Sequence, residues 1–143
     1  MESPKVEHLE ANPTITLTLK AISNKSALNI IKALSSSSNK CDSFALMKAL
    51  KLSKKQFYIA IGDLSNRGIV KRTDREYRLT SFGKVLLNSL SLVEDTIDIY
   101  SNTQAIDAIK ASHKITNEEI LKLVDILIDN ELVREIIKVR YFL

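Results

Sequence analysis

The chain has 143 residues, a net charge of +4, 45% hydrophobic and 27% charged side chains, and one cysteine, Cys41. That length suits one domain, or a small domain with a helical extension; the lone cysteine excludes an internal disulfide and fits a reducing, cytoplasmic setting. The acidic start MESPKVEHLEANP has no apolar stretch of the secretory kind, and no apolar run approaches the roughly 18 residues of a membrane helix, so neither export nor a membrane partner is expected.

Residues 1–13 carry both prolines and few apolar side chains, and read as a flexible N-terminal arm. TITLTLK (14–20) then alternates Ile15, Leu17 and Leu19 with threonines, the period of a strand. Ser23 is expected to cap a helix that buries Ala27, Leu28, Ile30, Ile31 and Leu34 and stops in the polar SSSSN (35–39). Asp42 would cap a short second helix with Phe44, Met47 and Leu50 inward.

The third helix has the strongest start signal. Ser53 and Gln56 form an S-x-x-Q capping box, and Leu52 and Phe57 form the matching hydrophobic staple. Phe57, Ala60, Ile61 and Leu64 share one face, and Gly68 stands where a left-handed C-terminal cap belongs. IVKR (69–72) and EYRL (76–79) read as two strands joined across TDR, with Tyr77 and Leu79 on one face. Because TDR lacks Asn-Gly, a tight type I′ turn is not expected there.

Thr80 caps a long fourth helix, in which Phe82, Leu86, Leu90, Val93, Ile97 and Tyr100 repeat at alternating steps of four and three. Such a seam matches coiled-coil-like pairing. Leu86, Leu90, Val93, Ile97 and Tyr100 are therefore candidate dimer contacts, with the last helix of the same chain as the other possible cover. SNTQ (101–104) should break the helix, and AIDAIKA should form a short turn. Thr116 and Glu119 make a second capping box with Ile115 and Ile120 as its staple. That helix carries Leu121, Val124, Leu127 and Ile128, and Asn130 is a candidate interruption before ELVREIIKV. The fold class expected is mainly α with a small β-hairpin.

Charge is unevenly placed. Residues 51–84 hold nine basic and three acidic side chains, a net +6, whereas residues 85–143 carry a net −4. A basic centre of this kind suits an anionic partner. With Phe57, Ala60, Ile61 and Leu64 inward, the outer face of the third helix presents Lys54, Lys55, Gln56, Tyr58, Ile59, Gly62 and Asp63. Its start combines two lysines with free N–H groups that suit a phosphate or a groove. Gln56 is a candidate for adenine edges, and Tyr58 or Ile59 for a thymine methyl. An outward Asp63 would oppose DNA unless it pairs with Arg67.

Three helices, a very short turn between the second and third, a hairpin and a further helix follow the order of a winged helix-turn-helix. LKLSKKQFYIAIGDLSNRGIVKR followed by YRLTSFGKVL resembles the winged-helix regulators of the multiple-antibiotic-resistance and arsenic-repressor kinds. It is more similar still to a group of small archaeal-type transcription regulators, in which a C-terminal segment like ITNEEILKLVDILIDNELVREII recurs. The likeness covers most of residues 15–138, and departs at Ala60 and Asp63, where that group often carries arginine. It implies a winged domain over 14–84 and a helical dimerisation region over 81–143. It also implies a recognition helix over 54–67 in the major groove and a wing over 69–79 on the backbone. The DNA-binding residues would then be Lys54, Lys55, Gln56, Tyr58, Ile59, Arg67, Lys71, Arg72, Arg75 and Arg78, in a homodimeric regulator of transcription on double-stranded DNA.

Other readings stay open. Tyr58 and Ile59 suit a protein-interaction surface equally well, and winged helices serve that purpose too. No phosphate-cradling glycine cluster, nucleophile–base pair or metal-spaced group stands out, so neither an enzyme nor a cofactor is expected. No small-molecule ligand is indicated, and His8 and His113 have no partner at ligand spacing.

Overall fold

The computed structural model describes residues 12–36 and 41–142, with the side chains of 140–142 excepted. Its elements run α1 (Pro13–Ile22), α2 (Lys25–Ser36), β1 (Cys41–Asp42), α3 (Ser43–Leu50), α4 (Lys54–Asn66), β2 (Val70–Thr73) and β3 (Glu76–Leu79). Then follow α5 (Ser81–Asp98), α6 (Tyr100–Ala111), α7 (Asn117–Leu127) and α8 (Glu131–Phe142). The protein is mainly helical with a small three-stranded antiparallel sheet of order β1-β3-β2. It divides into two compact units, one up to Asn88 and one from Ser89, with the division falling inside α5. The arm expected over 1–13 lies outside the described residues except for Asn12 and Pro13, as do residues 37–39 of the polar loop.

In the first unit α2 packs against α4, α1 against both, and the sheet against α2 and α4. The core joins Ile22, Ala27, Ile30, Ile31 and Leu34 to Leu46, Phe57, Leu64, Ile69, Val70, Tyr77 and Leu79. The segment TITLTLK, expected as a strand, is helix α1. Asn12 accepts the Thr14 N–H on its side-chain oxygen at 2.8 Å, and Pro13 occupies the first turn, where its missing N–H costs nothing. The sheet of β1, β3 and β2 forms without the threonine-rich segment. As a helix it buries Ala21 and Ile22 and leaves Ile15, Leu17 and Leu19 exposed.

Two smaller corrections lie nearby. Ser23 ends α1, its hydroxyl donating to the Lys20 carbonyl, and Asn24 caps α2 by accepting the Ser26 N–H at 2.7 Å. In α3, Asp42 caps as expected, through the Ala45 N–H at 2.6 Å, but Leu46 is the buried residue and Phe44 is 74% exposed. Strand β1, which pairs Cys41 with Tyr77 and Asp42 with Glu76, has only two residues and carries no alternation to read.

Helix α4 ends in a Schellman motif: the Ile69 N–H donates to the Leu64 carbonyl and the Gly68 N–H to that of Ser65. Gly68 has φ +72, which glycine accepts without strain. Thr80 then ties this corner to α5. Its N–H donates to the Ile69 carbonyl at 3.0 Å, its hydroxyl donates to the Gly68 carbonyl at 2.6 Å, and the hydroxyl accepts the Gly83 N–H at 3.0 Å. A Cβ at Gly83 would lie far inside van der Waals contact of the Ile69 carbonyl oxygen, so only glycine fits this crossing.

In the second unit Ile106, Ile120, Val124, Ile128 and Val133 are buried, flanked by Leu92, Ile99, Ile115, Leu127 and Ile137. The break after α5 falls at Ile99, not at 101–104, so SNTQ and AIDAIKA together form α6. Tyr100, expected within one continuous seam, opens that new helix. Thr116 and Glu119 form the reciprocal capping box of α7, at 3.3 and 2.8 Å. Asn130 does interrupt the C-terminal segment, and it starts α8 by accepting the Val133 N–H at 3.1 Å while donating to Asp95 at 3.2 Å. Asn102 donates to the Leu127 carbonyl at the end of α7, and Lys138 pairs with Asp125. Among the described residues no helix is long and apolar enough to cross a membrane.

Candidate nucleic-acid interface

The start of α4 is built by its cap. The Ser53 hydroxyl accepts the Gln56 N–H at 3.1 Å, and Gln56 Oε1 accepts the Ser53 N–H at 3.0 Å. This leaves the backbone N–H groups of Lys54 and Lys55 without a partner among the described residues, at the positive end of the helix dipole. It also commits Gln56: an adenine edge needs both Oε1 and Nε2, and Oε1 is already occupied. Gln56 is a capping residue in this geometry.

Phe57, Ala60, Ile61 and Leu64 are buried, and Lys54, Lys55, Tyr58 and Ile59 are exposed, Tyr58 at 46% and Ile59 at 53%. Each of these two side chains keeps about half of its surface exposed.

The ribbon's register divides its basic residues. Val70 faces Leu79, Lys71 faces Arg78, Arg72 faces Tyr77 and Thr73 faces Glu76. Directly paired residues share a face and successive residues alternate. Arg72 therefore lies on the face of Val70, Tyr77 and Leu79, the core side, whereas Lys71 and Arg78 lie on the other. The Arg72 guanidinium carbon stands 5.7 Å from the centre of the Tyr77 ring. Tyr77 meets Phe57 edge-on at 5.9 Å, and Phe57 meets Tyr58 edge-on at 5.2 Å. This aromatic chain links Arg72 on the ribbon to Phe57 and Tyr58 of α4. Lys71 and Arg78 share their face with Glu76, whose register partner on β1 is Asp42. Two carboxylates therefore share that face with the two basic residues.

At the tip, a two-residue turn links β2 to β3, with Asp74 at φ 52 and Arg75 at φ 69. Positive φ at both central residues is the pattern of a type I′ turn, contrary to the expectation from TDR. The register imposes it: closing a ribbon between Thr73 and Glu76 leaves only two residues, and I′ geometry matches the twist of the strands. Asp tolerates this conformation; an arginine there is strained.

Arg67 belongs to a different place. It caps the far end of α4, roughly 20 Å along the axis from Lys54. With Leu17, Lys20, Ala21, Asp63 and Asn66 it lines an open cleft of about 250 Å³ between α1 and α4. Among the described residues Asp63 and Arg67 form no ion pair, so the condition under which an outward Asp63 would not oppose DNA is not met by Arg67. Sequence reasoning also passed over Lys51. This exposed lysine, three residues before Lys54, holds φ 53 in the turn between α3 and α4, and its left-handed conformation carries no signal in a lysine.

No model of a known protein family matches the chain, and no curated protein sequence matches it.

Proposed function

We propose that the first unit is a winged helix-turn-helix that binds double-stranded DNA, and that the protein is a cytoplasmic, homodimeric regulator of transcription. Helices α3 and α4 form the helix-turn-helix, α4 enters the major groove, and the β2–β3 ribbon is the wing. The observation that carries this reading is the cluster at the start of α4. Lys54 and Lys55 with their free N–H groups, and Lys51 before them, make a positive end with no carboxylate in α4's first two turns, and Arg72, over the Tyr77 ring, adds a cation on the ribbon. Arg75 at the turn extends the reach of the ribbon. Lys71 and Arg78, opposed by Glu76 and Asp42, contribute less, and Arg67 lies outside the contact.

The subunits pair through α5 and the start of α6. Val93, Ile97 and Tyr100 are exposed and Leu86 and Leu90 half-buried, which leaves the seam available to a second copy. Titration of a DNA duplex at several salt concentrations tests the reading. Affinity falls on a log–log plot by about 0.9 per phosphate contact, and K55A with R72A flattens the slope by roughly 1.8. Absence of salt-dependent binding at low ionic strength removes it.

A second reading is favoured by two observations. Tyr58 and Ile59 stand exposed at the centre of the same face, and the outer face of the ribbon is of mixed charge. Both suit a protein partner docked on α4, with these two side chains as anchors. On this reading Y58A and I59A abolish partner capture, and the salt slope on DNA is flat.

A further inference from the structure

The open cleft of about 250 Å³ between α1 and α4 is walled by one turn of each helix: Leu17, Lys20 and Ala21 on α1, and Asp63, Asn66 and Arg67 on α4. Both stretches belong to the first unit. Together they bring two cations, one carboxylate, one amide and two apolar side chains to a single opening. None of the four polar side chains makes a hydrogen bond or an ion pair among the described residues. Asp63 and Arg67 stand four residues apart, the spacing at which opposite charges meet on a helix, yet they do not pair. Arg67 is half-buried and Ala21 buried, so this unpaired charge stands beside apolar surface.

We propose that this cleft binds a small zwitterion, an α-amino acid with an aliphatic side chain. Lys20 and Arg67 take its carboxylate, the arginine through its planar fork and the lysine as a point charge. Asp63 takes its ammonium, and the Asn66 amide serves either group as donor or acceptor. No charge of the cleft then remains for a second ionic group on the ligand, and Leu17 and Ala21 offer its side chain an apolar wall. The volume falls below the roughly 300 Å³ at which pockets for drug-sized ligands begin, and suits a single amino acid. Asp63 counts against a purely anionic ligand, and the two cations count against an amine. The proposal does not depend on the DNA reading, because Arg67 lies outside the contact assigned to DNA.

The test titrates the full chain, isotope-labelled, with leucine and follows its amide chemical shifts. Signals of Leu17, Lys20, Ala21, Asp63, Asn66 and Arg67 move together and saturate, with half-saturation at roughly 1 mM, the range of a few solvent-accessible charge contacts. Isocaproate is leucine without its ammonium, and isoamylamine is leucine without its carboxylate. Each binds about ten-fold more weakly, the worth of one lost charge-assisted hydrogen bond. Asp63→Asn weakens leucine by a similar factor and leaves isocaproate no weaker, whereas Arg67→Gln weakens both. The dispersion of the remaining amide signals shows that each variant is folded. The proposal is overturned if no signal around the cleft moves at any soluble concentration of leucine. It is overturned too if isocaproate binds as tightly as leucine, which would make the cleft an anion site, or if folded Asp63→Asn binds leucine as the native chain does.

Discussion

Up to Asn88, the buried side chains come from α1 to α4, the sheet and Ile69 between α4 and β2, with Phe57 and Tyr77 in edge contact. From Ser89 onward the buried set is Ile106, Ile120, Val124, Ile128 and Val133, without an aromatic ring. There Val93, Ile97, Tyr100, Ile126, Leu132, Ile136 and Val139 remain exposed. A unit of this size buries only about 60% of its unfolded surface and is marginal alone. The first unit exposes large apolar side chains too, among them Ile15, Phe44, Ile59 and Val85. The contrast therefore lies in the core: the first unit has a larger one, with an aromatic pair, and the second a small aliphatic one.

The largest effect should come from Phe57→Ala, which removes a fully buried ring and its contact with Tyr77. A loss of about 3–5 kcal/mol is expected in urea unfolding, confined to the first unit. Val124→Ala should cost about 2 kcal/mol and act on the second unit alone. If both substitutions move one common transition, the two units are not separate and the comparison fails. Next, Gly83→Ala should cost about 3 kcal/mol, because a Cβ there collides with backbone that cannot swing aside. Thermal unfolding measures it.

The two capping boxes place the same chemistry in both units. Ser53→Ala and Thr116→Ala should each lose about 1 kcal/mol. A markedly smaller loss for Thr116→Ala, read by hydrogen exchange in the first turn of α7, would show that the second unit already frays there. The smallest effect is a gain. Arg75→Gly relieves an arginine held at φ 69 and should stabilise the ribbon by about 0.5 kcal/mol. A loss instead would mean that the Arg75 side chain has a stabilising contact within the chain.

Much of the candidate interface was legible in residues 52–68. The box at Ser53 and Gln56, the buried face of α4 and the stop at Gly68 all follow from bonds and spacings of three to five residues. The same holds for the caps at Asp42, Thr80 and Thr116. The division of the basic residues was not legible. Whether Arg72 lies with Tyr77 or with Lys71 depends on strand register, and the register depends on a two-residue turn whose composition argues against it. Gln56 was assigned two roles from the sequence, and only the bond to the Ser53 N–H decided between them.

What the residues alone determined, then, is where helices begin and end and which side of α4 faces inward. A cap or an i, i+4 stripe carries its own partners along the chain. What the tertiary structure decided is the state of segments whose partners are distant. TITLTLK has the alternation of a strand, yet with Asn12 as cap and Pro13 in the first turn it became α1, packed on α2 and α4. Phe44 has the composition of a core residue, but the phase of an eight-residue helix started at Asp42 turns it outward and Leu46 inward. Alternation and hydrophobicity state only a preference, and pairing and burial are satisfied by whichever surface the rest of the fold presents.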